Sequence, residues 1–223
     1  MPAAESERFE GDSLVFMVAD GMGGHAKGEL ASRTVLGVFK ERRNDPVTAE
    51  GIRDSLRLAK ERLNNLAEND RRSFGLGTTI SGILFSGSEA FLLNCGDSRV
   101  YKADEEFRKV TKDHSVVQEL VDSGMITEEQ MRTHPQKNIV TSALMGDLTA
   151  GLPRYSLRQM AVNTGRRFLI CSDGLWESLR DSEMAECLAG KGIREGVECL
   201  YSGALEEGAA DNVSIILLEV AGV

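Results

Sequence analysis

No apolar run in this chain approaches the roughly 18 residues that a membrane helix requires. No signal peptide is visible, so the chain reads as soluble, cytoplasmic and without a membrane partner. No C-x-x-C pair occurs among Cys95, Cys171, Cys187 and Cys199, and histidine is limited to three residues, which disfavours a zinc site. Cys95 and Cys171 lie inside apolar runs, where cysteine behaves as a small core residue. All four are expected as reduced thiols of a cytosolic protein. No G-x-x-x-x-G-K-[ST] is present, which excludes a P-loop. Basic residues are in the minority: 26 Lys and Arg stand against 35 Asp and Glu, for a net charge of −9. That balance argues against a nucleic-acid or anionic-membrane binder. The pairs Arg42–Arg43, Arg71–Arg72 and Arg166–Arg167 read as solvated faces. Repeats, low-complexity tracts and long linkers are lacking too. The expectation is therefore a single domain over residues 1–223, as a monomer, long enough to bury a sizeable core.

What the chain does have is a repeated strand ending. VFMVADGMGG (15–24) and FLICSDG (168–174) are both apolar runs that close on Asp-Gly. Asp211, in ADNVSIILL, stands at the start of a third apolar run. One Asp-Gly is a common turn. Two at strand ends with a third aspartate beside them suggest one site, because buried carboxylates repel unless a cation sits between them. Clustered carboxylate oxygens are hard ligands and suit Mg²⁺ or Mn²⁺.

Periodicity places these motifs. Residues 13–20 read as a buried strand, followed by a glycine turn at 21–24 and a helix over 27–43. Asn44-Asp45-Pro46 breaks that helix. A second helix over 47–69 carries Ile52, Leu56, Ala59, Leu63 and Leu66 on one stripe, and the two are expected to pair antiparallel over a sheet face. The strands LGTTISGILF, EAFLLNCGD, RVYKA and FRKVT lie close in sequence and predict an antiparallel meander. A helix is expected over 114–122, and the polar stretch 123–151 reads as a flap-like excursion with a short helix near 127–131. Strands return at 153–162 and 166–171, two or three helices fall between 175 and 207, and a last strand covers 213–220. The fold class that follows is α+β: a four-layer αββα sandwich of two antiparallel sheets flanked by helix pairs.

The turn Gly21-Met22-Gly23-Gly24-His25-Ala26 also matches the dinucleotide pattern G-x-G-x-x-G/A, with Glu41 downstream. Its context fails: a second helix, not a parallel strand, follows the first, and Asp20 would repel a pyrophosphate.

With these residues on the page, the chain resembles the metal-dependent serine/threonine phosphatases of the PPM (PP2C-like) family, in its bacterial form. The segments that carry the resemblance are VADGMGGHAKGELAS (18–32), GLGTTISG (75–82), NCGDSRVY (94–101), TKDHSVVQELVDSGMIT (111–127), HPQKNIVTSALMGD (134–147), FLICSDGLWESL (168–179) and ADNVSIILL (210–218). They occur in family order over nearly the whole chain. The resemblance implies two Mg²⁺ or Mn²⁺ ions between the sheets. Asp20 would bridge both, the Gly21 carbonyl would bind one, and Asp173 and Asp211 the other. Asp97 matches a ligand of a third, weaker ion, and Thr78 and Asn212 would be supporting or packing residues. It further implies hydrolysis of phosphoserine and phosphothreonine in proteins by a metal-bridging water, opposing a Ser/Thr kinase.

The chain departs from the pattern at its start. The family's N-terminal strand, with a phosphate-holding arginine and an Asn-Glu/Gln-Asp segment, has no counterpart in MPAAESERFEGD, where Arg8 is flanked by Glu7 and Glu10. Its absence is expected to weaken phosphate binding and leave a sheet edge uncovered. It also motivates the alternative of a catalytically weakened regulatory or binding domain, against which the three intact aspartates speak. Among the histidines, His134 is the candidate substrate contact. His25 is weighed as a general acid against a helix-start role, and His114 with Asp113 is expected to cap a helix.

Overall fold

The computed structural model describes residues 5, 7–11, 13–209 and 211–222, apart from the side chains of His25, Ala26 and Arg72. The expectation for His25 thus falls outside the described side chains.

Short β-rich runs bounded by turn residues form the strands, and the apolar stripes form the helices. In chain order the first half runs β1 (Ser13–Val18), β2 (Gly21–Met22), α1 (His25–Glu41), α2 (Ala49–Asn69), β3 (Gly77–Thr78), β4 (Ile80–Ser86), β5 (Glu89–Cys95), β6 (Arg99–Ala103) and β7 (Phe107–Lys109). The second half runs α3 (Val116–Asp122), α4 (Glu128–Met131), β8 (Leu144–Met145), β9 (Ser156–Ala161), β10 (Arg167–Cys171), α5 (Asp173–Trp176), α6 (Asp181–Leu188), α7 (Ile193–Glu206) and β11 (Ile215–Glu219). Side-chain oxygens set several helix starts: Thr48 accepts from Gly51 N at the head of α2, and Thr127 and Gln130 form a capping box on α4.

Two four-stranded antiparallel sheets, ordered β1-β4-β5-β9 and β11-β10-β6-β7, make the sandwich. Three apolar layers hold it together. Between the sheets, Val18, Ile83 and Leu92 pack against Val100, Phe168, Ile170 and Leu218. Outside the first sheet, Val35, Val38 and Phe39 of α1 join Ile52, Leu56 and Leu63 of α2 over Leu84 and Leu93. Outside the second, Leu175, Met184, Leu188 and Leu200 cover Leu169 and Leu217. This is the expected four-layer α+β arrangement. None of the described helices is long and apolar enough to cross a membrane.

Three expectations need correction. The middle strands are not one meander: β4–β5 and β6–β7 are hairpins in different sheets, and the chain crosses between them at Gly96-Asp97-Ser98. The 123–151 stretch is not wholly outside the sheets, because Leu144 and Met145 pair with β3 in a third small sheet, β2-β3-β8. The cysteines are not all reduced thiols. Consecutive helices α6 and α7 bring Cys187 and Cys199 to a Cα separation of 5.4 Å, where they are joined as a disulfide. Spacing did not reveal this pair, because helix packing rather than a local motif brings it together.

Candidate metal centre

Asp20 leaves the end of β1 with its backbone tied on two sides. Its amide donates to Thr79 Oγ1 at 3.1 Å, and its carbonyl accepts from Thr79 N and Thr78 Oγ1, each at 2.8 Å. Of the two roles open to Thr78, support or packing, this bond is the supporting one. The following Gly21 lies against the first turn of α1. A Cβ on Gly21 would fall 2.1 Å from Gly28 O, and one on Gly28 would fall 2.5 Å from Gly21 O, so only a glycine pair permits this crossing.

Asp173 opens α5 directly after β10. A Cβ on its neighbour Gly174 would sit 2.3 Å from Asn212 O, so the loop that carries Asp211 rests on the start of α5. Ser172 pins the same loop: its hydroxyl donates to Asn212 O at 3.2 Å and accepts from Ser214 N at 3.0 Å. Asp211 Oδ1 in turn accepts from Asn212 N at 2.7 Å.

The electrostatics show that these loops converge. Burial raises the Asp20 carboxyl, a hydrogen bond with Asp173 lowers it, and the charges of Asp211 and Asp97 raise it again, for a net rise. Burial, then Asp20 and Asp211, push Asp173 up to about 8. Burial, then Asp173 and Asp113, push Asp97 up to about 7. Four aspartates from four chain segments thus act on one another. Among the described residues no three His, Cys, Asp or Glu side chains are already drawn in to hold an ion, so the carboxylates are neighbours and not a closed cage. Even so, the donor set fits a hard divalent cation. It is all oxygen, its members repel, and Asp173 Oδ1 is buried without a hydrogen-bond partner.

Beneath Asp97 lies a support that the sequence did not announce. The Trp176 indole donates to Asp97 O at 3.0 Å, and the Arg99 guanidinium lies 3.6 Å over the same ring. Arg99 is itself held by the buried Asp113, with a closest contact of 2.6 Å. Asp113 therefore anchors Arg99 and does not cap α3. Ser115 is the cap, accepting from Gln118 N, and His114 Nδ1 accepts from Gly96 N at 3.2 Å. A charged Arg99 at the buried start of its strand, where Lys102 is only half-buried, was the available signal. His134 lies in a turn, where its Nδ1 accepts from Gln136 N at 3.1 Å. Its flanking residues dock that turn on α5. Arg132 donates to Glu177 O and Leu179 O, and Lys137 pairs with Glu177 at 2.5 Å. Arg8 pairs with Glu10 at 3.0 Å in solvent.

A sandwich of two antiparallel sheets with an aspartate-lined centre at the strand ends defines a class of metal-dependent hydrolases. The Protein phosphatase 2C family profile matches residues 3–193, and the chain belongs to that family. Serine/threonine protein phosphatase PstP of Mycobacterium tuberculosis is 35% identical over 207 residues, which is 91% of this chain but 40% of PstP. The chain thus spans less than half the length of that relative. Serine/threonine phosphatase stp of Listeria monocytogenes is 32% identical over 214 residues, covering 92% of this chain and 84% of the relative. A crystal structure of the Mycobacterium PstP superposes with a TM-score of 0.85 at 32% identity, covering 96% of this chain and 94% of that one. The PstP catalytic domain in complex with two manganese ions gives 0.81 at 31% identity, with the same coverage.

Proposed function

We propose that this chain hydrolyses phosphoserine and phosphothreonine in proteins at a centre of two Mg²⁺ or Mn²⁺ ions, in opposition to a Ser/Thr kinase. The observation that carries the proposal is the buried carboxylate oxygen Asp173 Oδ1, without a hydrogen-bond partner, in an all-aspartate surrounding where Asp20 and Asp211 act on Asp173 and Asp97 acts on Asp20. Asp20, the Gly21 carbonyl, Asp173 and Asp211 would hold the two ions, and Asp97 a third, weaker one. When bound, such ions neutralise phosphoryl oxygens and bring the pKa of water toward neutrality.

The protein's own part is to keep these donors still. Thr78 and Thr79 hold the backbone of Asp20 through three hydrogen bonds, so its carboxyl has a fixed origin. Ser172 and the contact at Gly174 keep Asp211 beside Asp173. Trp176 fixes the Asp97 carbonyl. The part of the 123–151 excursion ahead of β8 would serve as a flap beside the centre, with His134, between Arg132 and Lys137, as its substrate contact.

Release of phosphate from a phosphothreonine peptide tests the proposal. Activity is expected to require Mn²⁺ or Mg²⁺, to vanish with chelator, and to fall by about a hundredfold or more in Asp173→Asn. Metal-independent turnover, or an Asp173→Asn variant with unchanged activity, contradicts it.

A further inference from the structure

The cysteines fall into two kinds. Cys95 and Cys171 are sealed in the core, and burial pushes both thiols up, that of Cys95 to about 12. Neither offers a thiolate to a reagent. Cys187 and Cys199, joined as a disulfide between α6 and α7, are only half-buried. This pair lies at the margin of the core, where an outside thiol can meet it.

The two sulfurs stand in opposite electrostatic surroundings. Cys187 is the penultimate residue of α6, at the helix end where unpaired carbonyls gather partial negative charge. Arg167 Nη1 reaches the last carbonyl of that helix, Leu188 O, at 3.4 Å, but Arg167 also faces Glu219 at 3.6 Å. Cys199 lies in the middle of α7, away from either helix end. Lys191, in the turn between the two helices, donates from Nζ to Cys199 Sγ at 3.2 Å. Glu195, one turn before Cys199 on α7, opposes this charge, but the ammonium is the group in contact. A thiolate is therefore better stabilised on Cys199 than on Cys187.

In thiol–disulfide exchange, the sulfur whose thiolate is better stabilised leaves faster. We propose that the Cys187–Cys199 bond is a thiol-exchange site with a set direction: a small thiol or dithiol reductant attacks Cys187, and Cys199 leaves as a thiolate paired with Lys191. The incoming thiolate bonds to Cys187 Sγ, the Sγ–Sγ bond breaks, and its electron pair stays on Cys199 Sγ. With a dithiol, the second thiolate attacks the reagent's own sulfur in the mixed disulfide and expels Cys187. Two electrons have then passed from the dithiol, now a disulfide, to the protein. One of the dithiol's protons ends on Cys187 through water, and the other stays in solvent while Cys199 remains ionised. Reduction releases the end of α6 and the start of α7, where Ala189 N bonds Ala185 O and Gly196 N bonds Gly192 O.

The test treats the oxidised chain with glutathione, blocks the freed thiol with iodoacetamide and maps both groups by peptide mass spectrometry. Glutathione is expected on Cys187 and the carbamidomethyl group on Cys199. Reduction by dithiothreitol is expected to slow by about tenfold in Lys191→Gln and to recover most of its rate in Lys191→Arg. In urea, where the helices are lost, the three proteins are expected to react alike. Reduction of the folded chain is expected to speed amide exchange at Ala189 and Gly196 by about tenfold or more and to leave Thr79, which holds Asp20, unchanged. Glutathione found chiefly on Cys199 would overturn the direction, and a Lys191→Gln chain reduced as fast as the wild type would overturn the role of Lys191. No reduction until urea unfolds the chain would make the bond a sealed cross-link and overturn the proposal altogether.

Discussion

Asp173 concentrates the chemistry of the site in one side chain. Its Oδ1 is buried with no partner, and burial together with the charges of Asp20 and Asp211 raises its carboxyl. A carboxylate in that position costs stability unless a cation or a proton compensates it. Arg99 presents the opposite case, a buried cation with its partners in place: Asp113, Tyr101 and the face of Trp176. Removing only the cation leaves Asp113 buried and alone. Arg99→Met is therefore expected to lower unfolding free energy by about 3–5 kcal/mol, and Arg99→Met/Asp113→Leu to recover most of it, as measured by urea denaturation. A single variant that unfolds like the wild type contradicts the assignment of Arg99 as the anchor of this loop. The Asp-Gly pairs were legible in the sequence because strand, aspartate and glycine are contiguous. Arg99, Asp113 and Trp176 were not, because their contacts join residues distant in the chain and no local pattern records the pairing.

Elements were legible where they were long and strongly periodic. The stripe of α2 predicted both that helix and its buried face, and α1 and α2 together cover the first sheet as expected. Short elements depended on tertiary partners. β2, β3 and β8 have two residues each and exist only through pairing with one another. The change of sheet at Gly96-Asp97-Ser98 was hidden for a similar reason, since a turn between strands looks alike whether they pair or part. The α6–α7 disulfide also belongs to this scale. It closes a short loop within one helix pair, so its loss should loosen that pair and leave the aspartate-bearing loops in place. Cys187→Ser/Cys199→Ser is expected to lower stability by about 2–3 kcal/mol under oxidising conditions, while Mn²⁺ affinity stays unchanged. Equal melting temperatures for the variant and the oxidised wild type would show that the cross-link does not contribute.

At the scale of the molecule, the sandwich brings strand ends from both sheets to one place and so gathers negative charge there. Asp97 and Asp173 hold protons up to about 7 and about 8 in the folded chain, whereas an unfolded aspartate releases its proton near pH 4. Between those limits the folded metal-free chain binds more protons than the unfolded one. Its stability is thus fully present below about pH 4 as far as these two groups are concerned, and is lost as pH rises through about 7 to 8. Thermal melts in chelator are expected to fall in Tm across that window, and added Mn²⁺ to restore the high-pH side. A metal-free Tm that rises over the same range would mean that the two carboxyls are not raised.

The most direct test of the centre itself is a calorimetric titration of Mn²⁺ into the chelator-treated chain and into Asp173→Asn near neutral pH. Two ions per chain are expected for the wild type, the number named for the manganese complex of the PstP catalytic domain, with the loss of at least one in the variant. No heat of binding at millimolar Mn²⁺, or identical isotherms for the two proteins, would contradict a metal centre built on these aspartates.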